Sequence, residues 1–122
     1  MGAAEVGQKL VDMVREGRNL DAINELYADD VVSVEAMDPP EGEREVRGVD
    51  AVRGKNEWWA EQHEVHNASA AGPFPHGEDR FAVHYKYDVT FKPGDQRYSM
   101  EEVALYSVAD GKVVREEFFY SM

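Results

Sequence analysis

The sequence predicts an α+β domain with its helices gathered at the front and its strands at the back. Apolar residues recur at three- and four-residue spacing as far as about His63, and at a spacing of two beyond it. The chain has 122 residues and no cysteine, so it reads as one domain over 1–122 whose core needs no disulfide and which holds no thiolate metal site.

Val6, Leu10, Met13 and Val14 define a first helix from Ala3 to Glu16, with Gly17 as its stop. Asn19 can cap a second, in which Leu20, Ile23, Leu26 and Tyr27 recur before Asp29-Asp30 turns the chain. Val31 to Met37 reads as a strand ended by Asp38-Pro39-Pro40-Glu41-Gly42, and a polar loop leads to Gly48. A third helix runs from Val49 or Asp50 to about His63, with Val52, Lys55 and Trp59 on one side. The remainder reads as an antiparallel meander with no long helix after Val65. Val65 to Phe74 is followed by a strand whose odd positions from Phe81 to Phe91 are all apolar or aromatic. Gln96 to Ala109 follows, and Asp110-Gly111 turns into Lys112 to Tyr120.

Hydrophobic residues at 43% and aromatics at 11% exclude a disordered chain. Thirteen basic against twenty-five acidic residues give a formal charge of -12, which excludes nucleic acid and anionic membrane surfaces as partners. The sequence lacks the roughly 20 consecutive apolar residues of a membrane span, and its start lacks the basic and apolar regions of a secretory signal, so the expected location is cytoplasmic. His63 and His66 stand three apart where helix gives way to strand, so their rings need not converge. No metal is expected, and no glycine-rich phosphate loop or nucleophile elbow calls for a cofactor.

Three fragments, Leu26-Tyr27-Ala28-Asp29-Asp30-Val31-Val32, Val46-Arg47-Gly48-Val49-Asp50-Ala51-Val52 and Asp110-Gly111-Lys112-Val113-Val114-Arg115-Glu116, occur in the order and spacing of SnoaL-like proteins. The chain thereby resembles that group of the nuclear transport factor 2-like (NTF2-like) superfamily over nearly its whole length. The resemblance implies a cone in which three helices pack on a strongly bent sheet around a deep pocket, and dimers are common among such proteins. It does not imply one activity: isomerases, polyketide cyclases, dehydratases and simple binding modules share the fold.

Strand parity then nominates pocket residues. Glu35 faces inward with Val31, Ser33 and Met37, and its position five residues after Asp30 is where the resemblance puts a general base; the alternative by dipeptide is Asp38-Pro39. An apolar cavity raises a carboxyl's pKa toward neutrality, which suits such a base. Glu102 is a second candidate acid, sharing an inward face with Met100, Ala104, Tyr106 and Val108. Tyr27, Trp59, Tyr85 and Tyr87 complete the walls, with Val113, Arg115, Glu117 and Phe119 as the inward set of the last strand. Each has a plainer reading: Glu35 as a rim carboxylate, Glu102 as a surface residue beside Glu101, the tyrosines as core packing, and Glu116-Glu117 as a solvated face. Two functions stay open. One is cofactor-free acid/base chemistry (isomerisation, dehydration or cyclisation) on a small apolar carbonyl or hydroxyl compound. The other is a non-catalytic module that binds a hydrophobic ligand or a protein partner. Apolar residues on both faces of the last strands predict a homodimer through the outer sheet.

Overall fold

The structure, a computed structural model, describes residues 2–38 and 43–121. Helices α1 (Ala3–Arg15), α2 (Asn19–Leu26) and α3 (Val49–Gln62) pack on one side of a six-stranded sheet. Its strands are β1 (Tyr27–Val34), β2 (Glu45–Arg47), β3 (His63–His76), β4 (Arg80–Phe91), β5 (Gln96–Ala109) and β6 (Lys112–Phe119). Their spatial order is β2-β1-β6-β5-β4-β3, and all neighbours are antiparallel except β1 and β6. This is the α+β architecture that the change of period predicts.

Each boundary has a local cause. Gly17 takes a positive φ of 75° just after α1, a conformation that costs a residue without Cβ little. Gly48, with φ of 93°, lets the chain swing from β2 into α3. After Val65 the one helical segment is a single 3-10 turn at Lys92–Gly94, in keeping with the all-strand reading of that region. α1 meets the sheet closely at Gly7, where an added Cβ would stand 2.9 Å from Pro73 and 3.0 Å from the Phe81 ring.

Two elements differ from expectation. Asp29-Asp30 does not turn the chain: β1 begins at Tyr27, because α2 passes directly into extended backbone, and both aspartates are exposed within the strand. The stretch before Gly48 contains β2, whose Glu45, Val46 and Arg47 pair with Val34, Ser33 and Val32. The segment Pro39-Pro40-Glu41-Gly42, expected to end the first strand, lies outside the described residues.

The core lies between helices and sheet. Val6, Leu10 and Val11 from α1, Ile23 and Leu26 from α2, and Val52 from α3 meet Val31, Phe81, Val83, Ala104 and Val113, all nearly inaccessible to solvent. Phe81 and Tyr106 stack at 4.9 Å between ring centroids and fill the narrow part of the cone. Inward parity is as expected on β4 (Phe81, Val83, Tyr85, Val89) and β5 (Ala104, Tyr106, Val108).

On β6 the parity is corrected. Ser107 pairs with Arg115 but Val108 pairs with Val113, so Val114 is an extra residue and the strand turns over at that bulge. Val113 faces in, and after it Glu116 and Phe118 face in. Arg115, Glu117 and Phe119 face out, with Phe119 half-exposed, so neither Glu117 nor Phe119 lines the interior.

Candidate functional site

The wide end of the cone gathers polar side chains from every layer. α3 contributes Lys55, on the face that Val52 and Trp59 hold against the sheet, as their helical spacing requires. The Lys55 ammonium donates to Ser33 Oγ at 2.6 Å and pairs with Glu35 Oε1 at 2.8 Å, and it lies 5.3 Å from the Phe118 ring centroid. Ser33 Oγ donates in turn to Glu116 Oε1 at 2.8 Å, and the Tyr27 hydroxyl donates to Glu116 Oε2. Glu116 and Ser33 are almost fully buried. Farther in, the hydroxyls of Tyr85 and Tyr106 meet at 2.6 Å.

Glu35 sits just past the end of β1, held by backbone pairing with Arg44, its side chain about a quarter exposed. Besides Lys55 it accepts a hydrogen bond of 3.0 Å from the Tyr120 hydroxyl. Glu102, on the inner face of β5, has its pKa pushed up to about 7. Burial is the main cause; Glu35 and Glu116 add to it and Lys55 partly offsets it. Burial likewise raises the Glu116 carboxyl, against the opposing effects of Tyr27, Lys55 and Ser33. Glu102 also lies close enough to Tyr87, Tyr98 and Tyr120 to raise each phenol further above its ordinary range, on top of burial.

This end opens into a groove of about 1000 Å³ lined by Trp58, His63, Phe91, Tyr98, Met100 and Tyr120. Trp59 stacks on His63 at 4.2 Å and stands 5.6 Å from Tyr87, so it supports the groove from behind. The Nδ1–H of His63 donates to the Trp59 carbonyl at 2.9 Å, because a carbonyl can only accept. Nε2 then accepts from the Tyr98 hydroxyl, also at 2.9 Å. A second depression, of about 350 Å³, lies among Asn67, Lys86, Tyr87, Asp88, Met100 and Glu101 and shares Met100 and Glu101 with the first. Among the described residues no three His, Asp or Glu side chains converge as metal ligands, and no helix is long and apolar enough to cross a membrane.

The nominated residues thus separate into groups. Glu35 and Glu102 come together around Lys55 and Tyr120, Tyr87 and Trp59 stand beside them, and Met100 reaches the groove. Tyr85, Tyr106 and Tyr27 form a deeper, enclosed layer, while Glu117 and Phe119 lie on the outer face. The sequence reading missed Glu116, because a bulge leaves no mark in the residue pattern, and passed over Tyr98, Tyr120 and the polar use of Lys55. The one available sign was that Lys55 shares a helical face with Val52 and Trp59.

The model of the SnoaL-like domain matches residues 1–120. A protein from Mesorhizobium loti, provisionally labelled a SnoaL-like polyketide cyclase, is 41% identical; the match covers 96% of this chain and 97% of that one, with a TM-score of 0.90. A protein from Pseudomonas putida KT2440, provisionally labelled a polyketide cyclase, shares 16% identity over 100% of this chain and 93% of that one at a TM-score of 0.72. A hypothetical protein from Catenulispora acidiphila DSM 44928 with a ketosteroid isomerase-like fold, solved with trimethylamine, shares 17% over 98% and 88% at 0.74. At such identities the last two show the fold alone. No curated protein matches the chain. Sequence and fold together place the chain in the SnoaL-like domain family of the NTF2-like superfamily.

Proposed function

We propose that this SnoaL-like protein is a cofactor-independent acid/base enzyme that moves a proton on a small organic molecule bound in the groove, in an isomerisation, dehydration or cyclisation. The observation that carries the reading is Glu102. Its carboxyl is tuned to about 7, so near neutrality both its proton-accepting and proton-donating forms are well populated. In this reading Glu102 takes a proton from the carbon beside a carbonyl, and the electron pair passes to the carbonyl oxygen as an enolate. The Tyr87 phenol beside it donates a hydrogen bond to the oxygen on which charge develops. Glu35 is the companion carboxylate, fixed by Lys55 and Tyr120. Its negative charge keeps Glu102 basic enough to act.

A base in an apolar pocket can be tested without knowing the natural substrate. Deprotonation of 5-nitrobenzisoxazole should be accelerated above buffer, with a rate that rises through an inflection near pH 7. Glu102→Gln should lower that rate by about 100-fold or more, the usual worth of a positioned acid/base group. A parent rate no greater than that of the Gln variant across pH 5–9 would refute the mechanism. The narrow end of the cone, filled by Phe81, Tyr85 and Tyr106, favours a second reading in which the groove holds a ligand without changing it. A silent base probe together with saturable ligand binding would select that reading.

A further inference from the structure

Resting on the reading of the groove as the binding site, we propose that its ligand or substrate carries a positively charged nitrogen, as a tertiary or quaternary ammonium group. The walls suit such a group: the aromatic residues Trp58, Phe91, Tyr98 and Tyr120 line the groove, and Trp58 is 52% exposed. Aromatic faces carry negative potential and attract cations. They suit a quaternary nitrogen, which has no hydrogen to donate to a hydrogen-bonding wall. Lys55, 5.3 Å from the Phe118 ring centroid and 2.8 Å from Glu35, already places one ammonium between a ring and a carboxylate in the adjoining cluster.

The charge balance points the same way. Every element around Glu102 can be counted for charge: Glu35 follows β1, Lys55 comes from α3, Tyr87 from β4, Tyr98 from β5 itself, and Glu116 and Tyr120 from β6 or just past it. Glu35, Glu102 and Glu116 therefore face the single ammonium of Lys55, and Lys55 is already committed to Glu35 and Ser33. At the rim, Glu101 is paired with His84 on the outer face at 2.6 Å. With a neutral apolar guest the crowding of these carboxyls is relieved only by protonation of Glu102 and Glu116. An anionic guest would be repelled by them, and by the formal charge of -12 on the whole chain. A cation supplies what the site lacks. It would also draw Glu102 toward its ionised form, coupling occupancy of the groove to readiness of the base.

The test compares choline with 3,3-dimethylbutan-1-ol, a neutral molecule of nearly the same shape, by titration calorimetry and by quenching of the Trp58 and Trp59 fluorescence. At pH 8, where Glu102 is ionised, choline should bind at least ten-fold more tightly than the alcohol. The ratio should shrink at pH 5.5 and in Glu102→Gln. Trp58→Ala, which alters only an exposed ring, should weaken choline more than the alcohol and keeps the test sound if the Gln variant folds poorly. Equal affinities at pH 8, tighter binding of the alcohol, or no binding of either would overturn the proposal. Because the benzisoxazole probe is neutral, its deprotonation would survive that outcome, so the two readings fail separately.

Discussion

Lys55 is the single ammonium among three inward carboxylates, and its removal shows what each contact does. Replacing it with Met keeps the length of the stem over Phe118 but strips Glu35 of its ion partner and Ser33 of its donor. Removing one member of a largely buried pair leaves the other charge poorly solvated. Lys55→Met should therefore lower stability by about 2–4 kcal/mol, less than for a fully enclosed pair because a quarter of each side chain still meets water. The same change removes the one influence that holds Glu102 down, so the inflection of the base probe should move above pH 7. Denaturant unfolding reads the first effect and the pH–rate profile the second. An unchanged midpoint would show that the pair adds nothing beyond what water supplies.

At the scale of elements, what the sequence reveals depends on whether geometry follows from periodicity alone. The odd positions from Phe81 to Phe91 and the even ones from Met100 to Val108 face inward as alternation requires, because β4 and β5 pair over twelve consecutive residues without a slip. The reading failed on β6, where the extra residue at Val114 exchanges the faces and carries Glu116 rather than Glu117 to the interior. Neighbouring valines look the same in a straight strand and in a bulged one, so only the partner strand defines the face. Glu35 was legible by its count from Asp30. The charge environment of Glu102 was not, since it depends on a helix, β1 and β6 that are distant in sequence.

Gly7 gives a second test at this scale, because α1 approaches β4 and the β3 end nearest it without room for a methyl group. Gly7→Ala would place Cβ at 2.9 Å from Pro73 and 3.0 Å from Phe81, and the Phe81 ring, almost fully buried, yields poorly. The gain in helix propensity of up to about 1 kcal/mol should be outweighed, for a net loss of about 1–2 kcal/mol. Thermal unfolding of the Ala variant measures it, and a stabilised variant would show that α1 can slide.

For the whole molecule, two properties follow from where charge and apolar surface lie. Glu102 and Glu116 both have folded pKa values above their unfolded ones, so the fold favours their protonated forms. Their contribution is fully present below about pH 4.5 and is lost as pH rises through the folded values, about 7 for Glu102. The melting temperature should consequently fall between pH 5.5 and 8, and Glu102→Gln should flatten that slope; a profile rising over this range would contradict the sign. On the outer face Val103 and Phe119 pair across β5 and β6 at 41% and 50% exposure, with Leu105 and Val114 beside them. We propose that a second copy of the chain covers this patch. Light scattering at micromolar concentration should return twice the mass of the chain, and Phe119→Glu should halve it.

The placement of β6 between β1 and β5 affects how the domain is made. Its neighbours are separated by more than sixty residues of chain, and β1 joins the main body of the sheet through parallel pairing with β6, the last of its strands in chain order. Until residues 112–119 dock, the two-stranded fringe of β1 and β2 meets the meander through α1 and α3, which pack on β3 and β4, while the sheet itself stays open between β1 and β5. The loop between them must close late, which makes folding slow for a domain of this size. Glu116, the most enclosed carboxyl, rides on that strand and meets Tyr27 and Ser33 when it docks. Closure of the sheet and assembly of the polar cluster are therefore one event, and the same docking brings Tyr120 to the groove and to Glu35.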